Sequence, residues 1–333
     1  MWSNTYTCPE CNTIQEVDIV IEEGIDTEDK PFRKVLLRCG HESKFTRITR
    51  QVAIDSLFQK KVHYLKKIKE CVAFIFVKEG DEYQAIGTGF FIGIKQESTS
   101  IYFVTAKHVL LPNGNLYPEI YIRLNRKSSN PEYKELNLAK DNILMHPEDE
   151  NVDIALFPFS PQVDIYDFLY ISAEELLATK DIADKKMVEG DQVFFAGLFE
   201  DHPGRGRNYP ILRFGKVSLL MDEKIEVNAY NEQEKWAHVY LFEIQSSGNN
   251  SGSPVFFEVP RARRDERESQ SGHVEIYLIG VLKGHYYDLR FPNVWKTSGK
   301  IRLELNMGIA MVTPSYLLQE ILFSKKAKKQ RGE

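Results

Sequence analysis

Residues 247–256 read SGNNSGSPVF, a turn rich in glycine and asparagine that runs directly into an apolar strand. Ser251 sits at its centre. Two other segments share this form, with a polar residue at the end of an apolar run. In YFVTAKHVL (102–110) a strand ends at His108, and in NVDIALFPF (151–159) Asp153 opens one. Singly, each has an ordinary explanation as a strand-end or turn residue. Together they supply one chemical device. A serine hydroxyl is a weak nucleophile until an imidazole removes its proton, and a buried carboxylate holds that imidazole in the right tautomer.

Working outward, the chain around these segments is a succession of short apolar runs. Six precede the midpoint: VAFIFV, QAIGTGFFIGI, SIYFVTA, EIYIRL, NILMH and VDIALFPF. After a more polar connector containing SAEELLATK come six more: DQVFFAGL, ILRFGKVSLLM, HVYLFEI, SPVFFEV, VEIYLIGVL and MGIAMV. Many short strands at fairly even spacing argue for barrels or sandwiches rather than strand–helix–strand units.

The three polar segments resemble the chymotrypsin-like serine proteases. TAKHVL is similar to their histidine motif, DIAL to their aspartate motif and GNNSGSP to their nucleophile loop. GTGFF at 87–91 and MGIAMVTPS at 307–315 resemble segments of the bacterial stress proteases, and the nucleophile loop that of glutamyl endopeptidases. The separations are 45 residues from His108 to Asp153 and 98 from there to Ser251, which suit histidine and aspartate on one barrel and serine on the next.

The resemblance implies a mostly β fold of two six-stranded antiparallel β-barrels, over 71–160 and 190–313, within a protease domain at 71–320. It implies a triad of His108, Asp153 and Ser251 acting through an acyl-enzyme on a protein or peptide substrate. Backbone N–H groups of Asn249 and Ser251 would form the oxyanion hole, with Asn249 standing where the family usually has glycine. Gln245, Leu282, Lys283 and Gly284 would line the first substrate pocket. No carboxylate is evident among these four, which argues against a preference for Arg or Lys and for an uncharged residue before the cut. Asn250 replaces the aspartate that pairs with a newly cut N-terminus in digestive relatives, so a regulatory protein partner or the N-terminal segment is the expected switch, if there is one.

That segment, 1–50, holds Cys8 and Cys11 in CPEC and Cys39 with His41 in CGH. Four such ligands suit a structural tetrahedral zinc ion, and the two strand-like runs between them would bring the turns together. The segment resembles a zinc ribbon, with Cys-x-His a departure in the second knuckle. Residues 51–70 repeat apolar positions at helical spacing and are expected to form a connecting helix. The C-terminal residues 321–333 are expected to be a solvated basic tail.

Composition narrows the function classes. Among 333 residues, 43 Lys and Arg face 48 Asp and Glu, a net charge of −5, and residues 1–50 carry seven basic against nine acidic side chains. Nucleic acid is therefore not an expected partner, although a zinc-ribbon nucleic-acid-binding protein is one alternative reading. Another is a catalytically silent protease-fold binding protein. HExxH is absent, so a metalloprotease is disfavoured. With no apolar run long enough for a membrane span and no secretory leader, the expected location is the cytoplasm, where cysteines serve as metal ligands or core residues before disulfides.

Overall fold

The computed structural model describes residues 5–7, 14–25, 31–37, 42–46, 62–96, 98–176, 178–199, 202–227, 236–263, 275–288 and 305–333. The chain divides into two compact units, one containing Met1–Val62 and the other His63–Gln270 with Val274–Glu333.

In the first unit, β1 (Thr5–Thr7), β2 (Ile14–Ile25), β3 (Pro31–Leu37) and β4 (Glu42–Thr46) form an antiparallel sheet in that order. Thr7 pairs with Ile14, Val17 with Leu37 and Leu36 with Glu42. Those registers place the strand ends flanking the β1–β2 and β3–β4 connections at one end of the sheet. Cys8, Cys11, Cys39 and His41 fall in these two connections and lie outside the described residues.

A helix at 62–70, the described part of the expected connecting helix, runs from Val62 of the first unit into the second. The second unit continues into β5 (Val72–Glu79), β6 (Glu82–Ile94), β7 (Ser100–Thr105), β8 (Tyr121–Leu124), β9 (Glu132–Glu135), β10 (Ala155–Pro158) and β11 (Ile171–Ser172). These make a seven-stranded sheet in the order β10-β7-β6-β5-β8-β9, with β11 joined in parallel to β6. The first half is thus a seven-stranded sheet in place of the expected six-stranded barrel. NILMH forms only an isolated bridge, Leu144 to Leu156, while the polar EYKE of β9 and the two-residue β11 are the strands that apolar patterning overlooks.

The second half contains β12 (Gln192–Gly197), β13 (Ile211–Leu219), β14 (Ile225–Glu226), β15 (Trp236–Ala237), β16 (Tyr240–Glu243), β17 (Pro254–Glu258), β18 (Ile276–Asp288) and β19 (Leu305–Pro314). Six of them close into a barrel, β12-β13-β16-β19-β18-β17, while β14 and β15 form a small separate pair.

Alternate residues of these strands enter different cores, because side chains of a strand point to opposite faces. Ala73 and Ile75 of β5 pack with Phe91, Phe103 and Phe157 on one face of the first sheet. Val72, Phe74 and Phe76 pack on the other face, in a core shared with Phe194, Phe256 and Leu278 of the barrel. Within the barrel, Val193 and Phe195 meet Phe242, Val255, Phe257 and Val312. Strands buried on both faces read as continuous apolar runs, which is why VAFIFV and QVFFAG show no polar alternation.

The C-terminal segment departs in part from expectation. Helix Ser315–Leu322 carries the helical apolar pattern of Tyr316, Leu317, Ile321 and Leu322, and the lysines beyond it are exposed. The departure is that they lie on a second helix, Lys325–Arg331, which buries Ala327 in the shared core. The lysines of KKAKKQR hide a single buried alanine, too weak an apolar signal to read in sequence. Among the described residues, no helix is long and apolar enough to cross a membrane.

Candidate active site

His108 and Asp153 are brought together by one strand pair. β7 and β10 run antiparallel with Thr105 opposite Ala155. His108 lies three residues beyond Thr105, in the short helix Lys107–Leu110, and Asp153 two residues before Ala155. The helix has no side-chain cap from Ala106. Asp153 fills that role, its Oδ1 accepting the His108 backbone N–H at 3.0 Å, while Oδ2 lies 2.7 Å from His108 Nδ1.

Asp153 is buried and the His108 side chain is about half exposed, so the carboxylate is shielded while the outer ring nitrogen can reach a reactant. Burial alone would push the Asp153 carboxyl up. The charges of His108 and Lys283, and the hydrogen bonds from both, outweigh it and hold the group well below the usual carboxylate range.

Ser251 follows a one-turn 3-10 helix, Gly248–Asn250, and precedes β17. The turn is docked on the first sheet through Thr88, a fully buried residue of β6. Its N–H donates to the Ser251 carbonyl at 2.9 Å, its Oγ1 donates to the Asn249 carbonyl at 2.9 Å and accepts from Leu198 N at 3.0 Å. Gly252 is required twice over. Its φ is +87°, and a Cβ there would lie 2.0 Å from the Thr88 carbonyl and 2.2 Å from Thr105 Oγ1. The same Cβ would be 3.0 Å from Ala106 N, which measures how closely the serine turn abuts the segment carrying His108.

In this conformation the serine is at rest. Its Oγ donates to the Lys283 carbonyl at 2.9 Å, so its one proton is directed away from His108. Its N–H, expected as an oxyanion donor, closes the 3-10 turn on the Gly248 carbonyl at 3.3 Å. Asn250 braces the turn, accepting Ser247 N–H at 2.9 Å and donating to the Leu198 carbonyl. Among the described residues Asn113 is the non-glycine with positive φ, so Asn249 has an ordinary backbone here, which explains why asparagine is tolerated in this form.

The expected pocket residues differ in exposure. Leu282 is fully buried in the barrel core, Gln245 is exposed, and Gly284 has open space beside it. Lys283 turns to the catalytic side, its Nζ 2.9 Å from Asp153 Oδ2. Buried Ser246 and His285 approach one another instead, Oγ to Nδ1 at 3.5 Å. Sequence reasoning marked Thr88 within GTGF without a role, and named Lys283 as a pocket residue without its contact to Asp153.

Fold and site define a mostly β protein in which a histidine–carboxylate pair on one sheet faces a serine turn on a closed barrel. No protein-family model matches the chain and no curated protein sequence does. Among solved structures, it is similar to an inactive form of Rv3671c from M. tuberculosis H37Rv, at 12% identity and TM-score 0.40, over 84% of this chain and 95% of that one. It is similar to the active form of the M. tuberculosis Rv3671c protease at 14% identity and TM-score 0.41, over 80% and 85%. A mutant of human heparin binding protein (CAP37) matches at 10% identity and TM-score 0.42, over 75% and 88%.

Proposed function

We propose that this chain is a serine endopeptidase of the chymotrypsin-like kind, with His108, Asp153 and Ser251 as its triad. The observation that carries the reading is the 2.7 Å His108–Asp153 pair beside the Ser251 turn. In the reaction, the Ser251 hydroxyl leaves the Lys283 carbonyl and turns to the outer nitrogen of His108. Oγ bonds to the substrate carbonyl carbon as its proton passes to His108. The tetrahedral adduct then expels the amine, which takes that proton, and leaves an acyl-serine. Water, deprotonated by the same imidazole, hydrolyses the ester and restores the serine. Asp153 keeps the Nδ1 proton in place and stabilises the imidazolium at both stages.

The tetrahedral oxyanion needs N–H donors, so the turn must open before chemistry proceeds. Opening rotates the Gly248–Asn249 peptide, changing ψ of the first residue and φ of the second. A partner that holds the turn open would activate the enzyme. A catalytically silent binding protein is the second reading, favoured by the resting positions of the Ser251 hydroxyl and N–H.

Incubation with a fluorophosphonate probe tests the first. Wild type is expected to be labelled, and Ser251→Ala and His108→Ala are not. Asn249→Gly is expected to be labelled about fivefold faster, because a left-handed φ costs asparagine roughly 1 kcal/mol that glycine does not lose. If neither wild type nor Asn249→Gly is labelled while both remain folded, the isolated chain is inactive, either because the turn awaits a partner or because the silent reading is right.

We also infer that Cys8, Cys11, Cys39 and His41 hold a structural zinc ion. Support comes from the donor set and from the sheet register that sends both connections out at one end of the first unit. Bound zinc would close a small unit with little core of its own. Elemental analysis should find about one zinc per chain, lost in Cys39→Ser. Metal-free purified protein would sink the assignment.

A further inference from the structure

The side chain that most sets this site apart is Lys283, which holds both ends of the candidate triad. Its ammonium lies 2.9 Å from Asp153 Oδ2, the oxygen that also receives His108 Nδ1. Its carbonyl accepts the Ser251 hydroxyl at 2.9 Å. Both contacts follow from a local irregularity in β18. Leu282 pairs with Val312 and Gly284 with Met311, leaving Lys283 as the extra residue of a bulge. A bulge leaves its extra residue out of the ladder and redirects a side chain, so the Lys283 carbonyl is available to a hydroxyl and its ammonium turns toward β10.

We propose that Lys283 is a positioning residue that sets the charge of the Asp153–His108 pair, and so the acidity at which the base is available to Ser251. This rests on the reading of the site as a serine hydrolase. Asp153 Oδ2 is shared between His108 Nδ1 and the Lys283 ammonium. Its negative charge is therefore largely balanced before His108 takes a proton, and the imidazolium gains less from it than from a carboxylate of its own. Among the described residues, the charges that act on Asp153 are those of His108 and Lys283. From the helix Lys107–Leu110 come His108 and Lys107, whose ammonium is held by the Glu150 carbonyl, and from β18 comes Lys283.

The test uses the full chain with Lys283→Met, Lys283→Gln and Lys283→Arg. Two readouts follow the pair: the downfield proton resonance of the His108 Nδ1–H and the pH profile of fluorophosphonate labelling. Without the ammonium, Oδ2 no longer shares its charge between Lys283 and the His108 Nδ1–H. The resonance is expected to move further downfield, and the acid limb of labelling to move up by about one pH unit in the Met and Gln variants. Lys283→Arg, which keeps the charge, should leave both near wild type. If Met fails to fold, the Gln variant, which keeps a donor without the charge, carries the comparison. An unmoved resonance and acid limb in the neutral variants would overturn the proposal, as would an Arg variant that behaves like Met. A moved resonance with no labelling in any protein would leave the role of Lys283 at the Asp153–His108 pair standing and count against an active serine in the isolated chain.

Discussion

Asp153→Asn is expected to lower turnover about ten-thousand-fold. The buried carboxylate accepts from three donors at once: the His108 backbone N–H, His108 Nδ1 and Lys283 Nζ. An asparagine offers one oxygen and one NH2. If the oxygen keeps the backbone N–H, the NH2 faces two donors. The imidazole then moves its proton to the outer nitrogen, where it can no longer accept from Ser251. The same change strands the Lys283 ammonium, whose side chain is mostly buried. Removing one partner of such a pair costs about 3 kcal/mol of stability.

The pH dependence has a definite sign. The Asp153 carboxyl is held well below its ordinary value in the folded chain. It therefore contributes stability that is present above the unfolded value of about 3.9 and is lost as pH falls through the folded one. Denaturant melts at descending pH should show wild type converging on Asp153→Asn below about pH 4. Parallel curves would show that the carboxylate is not stabilised by its neighbours.

Arg123→Met is expected to destabilise the second unit by about 3 kcal/mol, or roughly 8 °C in melting temperature for a unit of this size. Arg123 extends from β8 and is buried, and burial lowers its pKa without a carboxylate to oppose it. Its guanidinium instead gathers the segment between β12 and β13. Nη1 donates to the Pro203 carbonyl at 3.2 Å and Asn208 Oδ1 at 3.1 Å, and Nη2 to the carbonyls of Gly204 and Arg205. Asn208 Nδ2 returns a bond to the Arg123 carbonyl at 2.7 Å. Methionine matches the length and supplies none of these donors, leaving carbonyls turned inward without partners. Lysine has a point charge in place of the planar fork and should recover only part of the loss. Trypsin should cut after Arg205 or Arg207 faster in Arg123→Met. An unchanged melt and unchanged cleavage would show that the segment is held by other means.

Much of this was legible in the chain because the signals are local. A strand buried on both faces must be apolar throughout, so VAFIFV or QVFFAG announces itself within six residues. Histidine and aspartate could be paired from sequence because each ends or opens a strand. The serine motif includes Gly252, and the structure shows that only glycine fits its φ and its approach to Thr88. Where signals were weak the reading failed. β9 is polar and lies at the sheet edge, and the last helix buries only Ala327 behind its lysines.

The sequence by itself determined a mostly β chain with a histidine, an aspartate and a serine at strand boundaries. Tertiary structure alone decided how those residues are held. Lys283 meets Asp153 across 130 positions because β18 bulges at one residue, and a bulge depends on the register of β18 with β19. Thr88 supports the serine turn across 161 positions only after sheet and barrel share a core. The 3-10 turn at Gly248–Asn250 is likewise held from a distance, by the bond from Asn250 Nδ2 to the Leu198 carbonyl. Such contacts carry no local pattern, because the partners are selected by strand register and packing rather than by their neighbours along the chain.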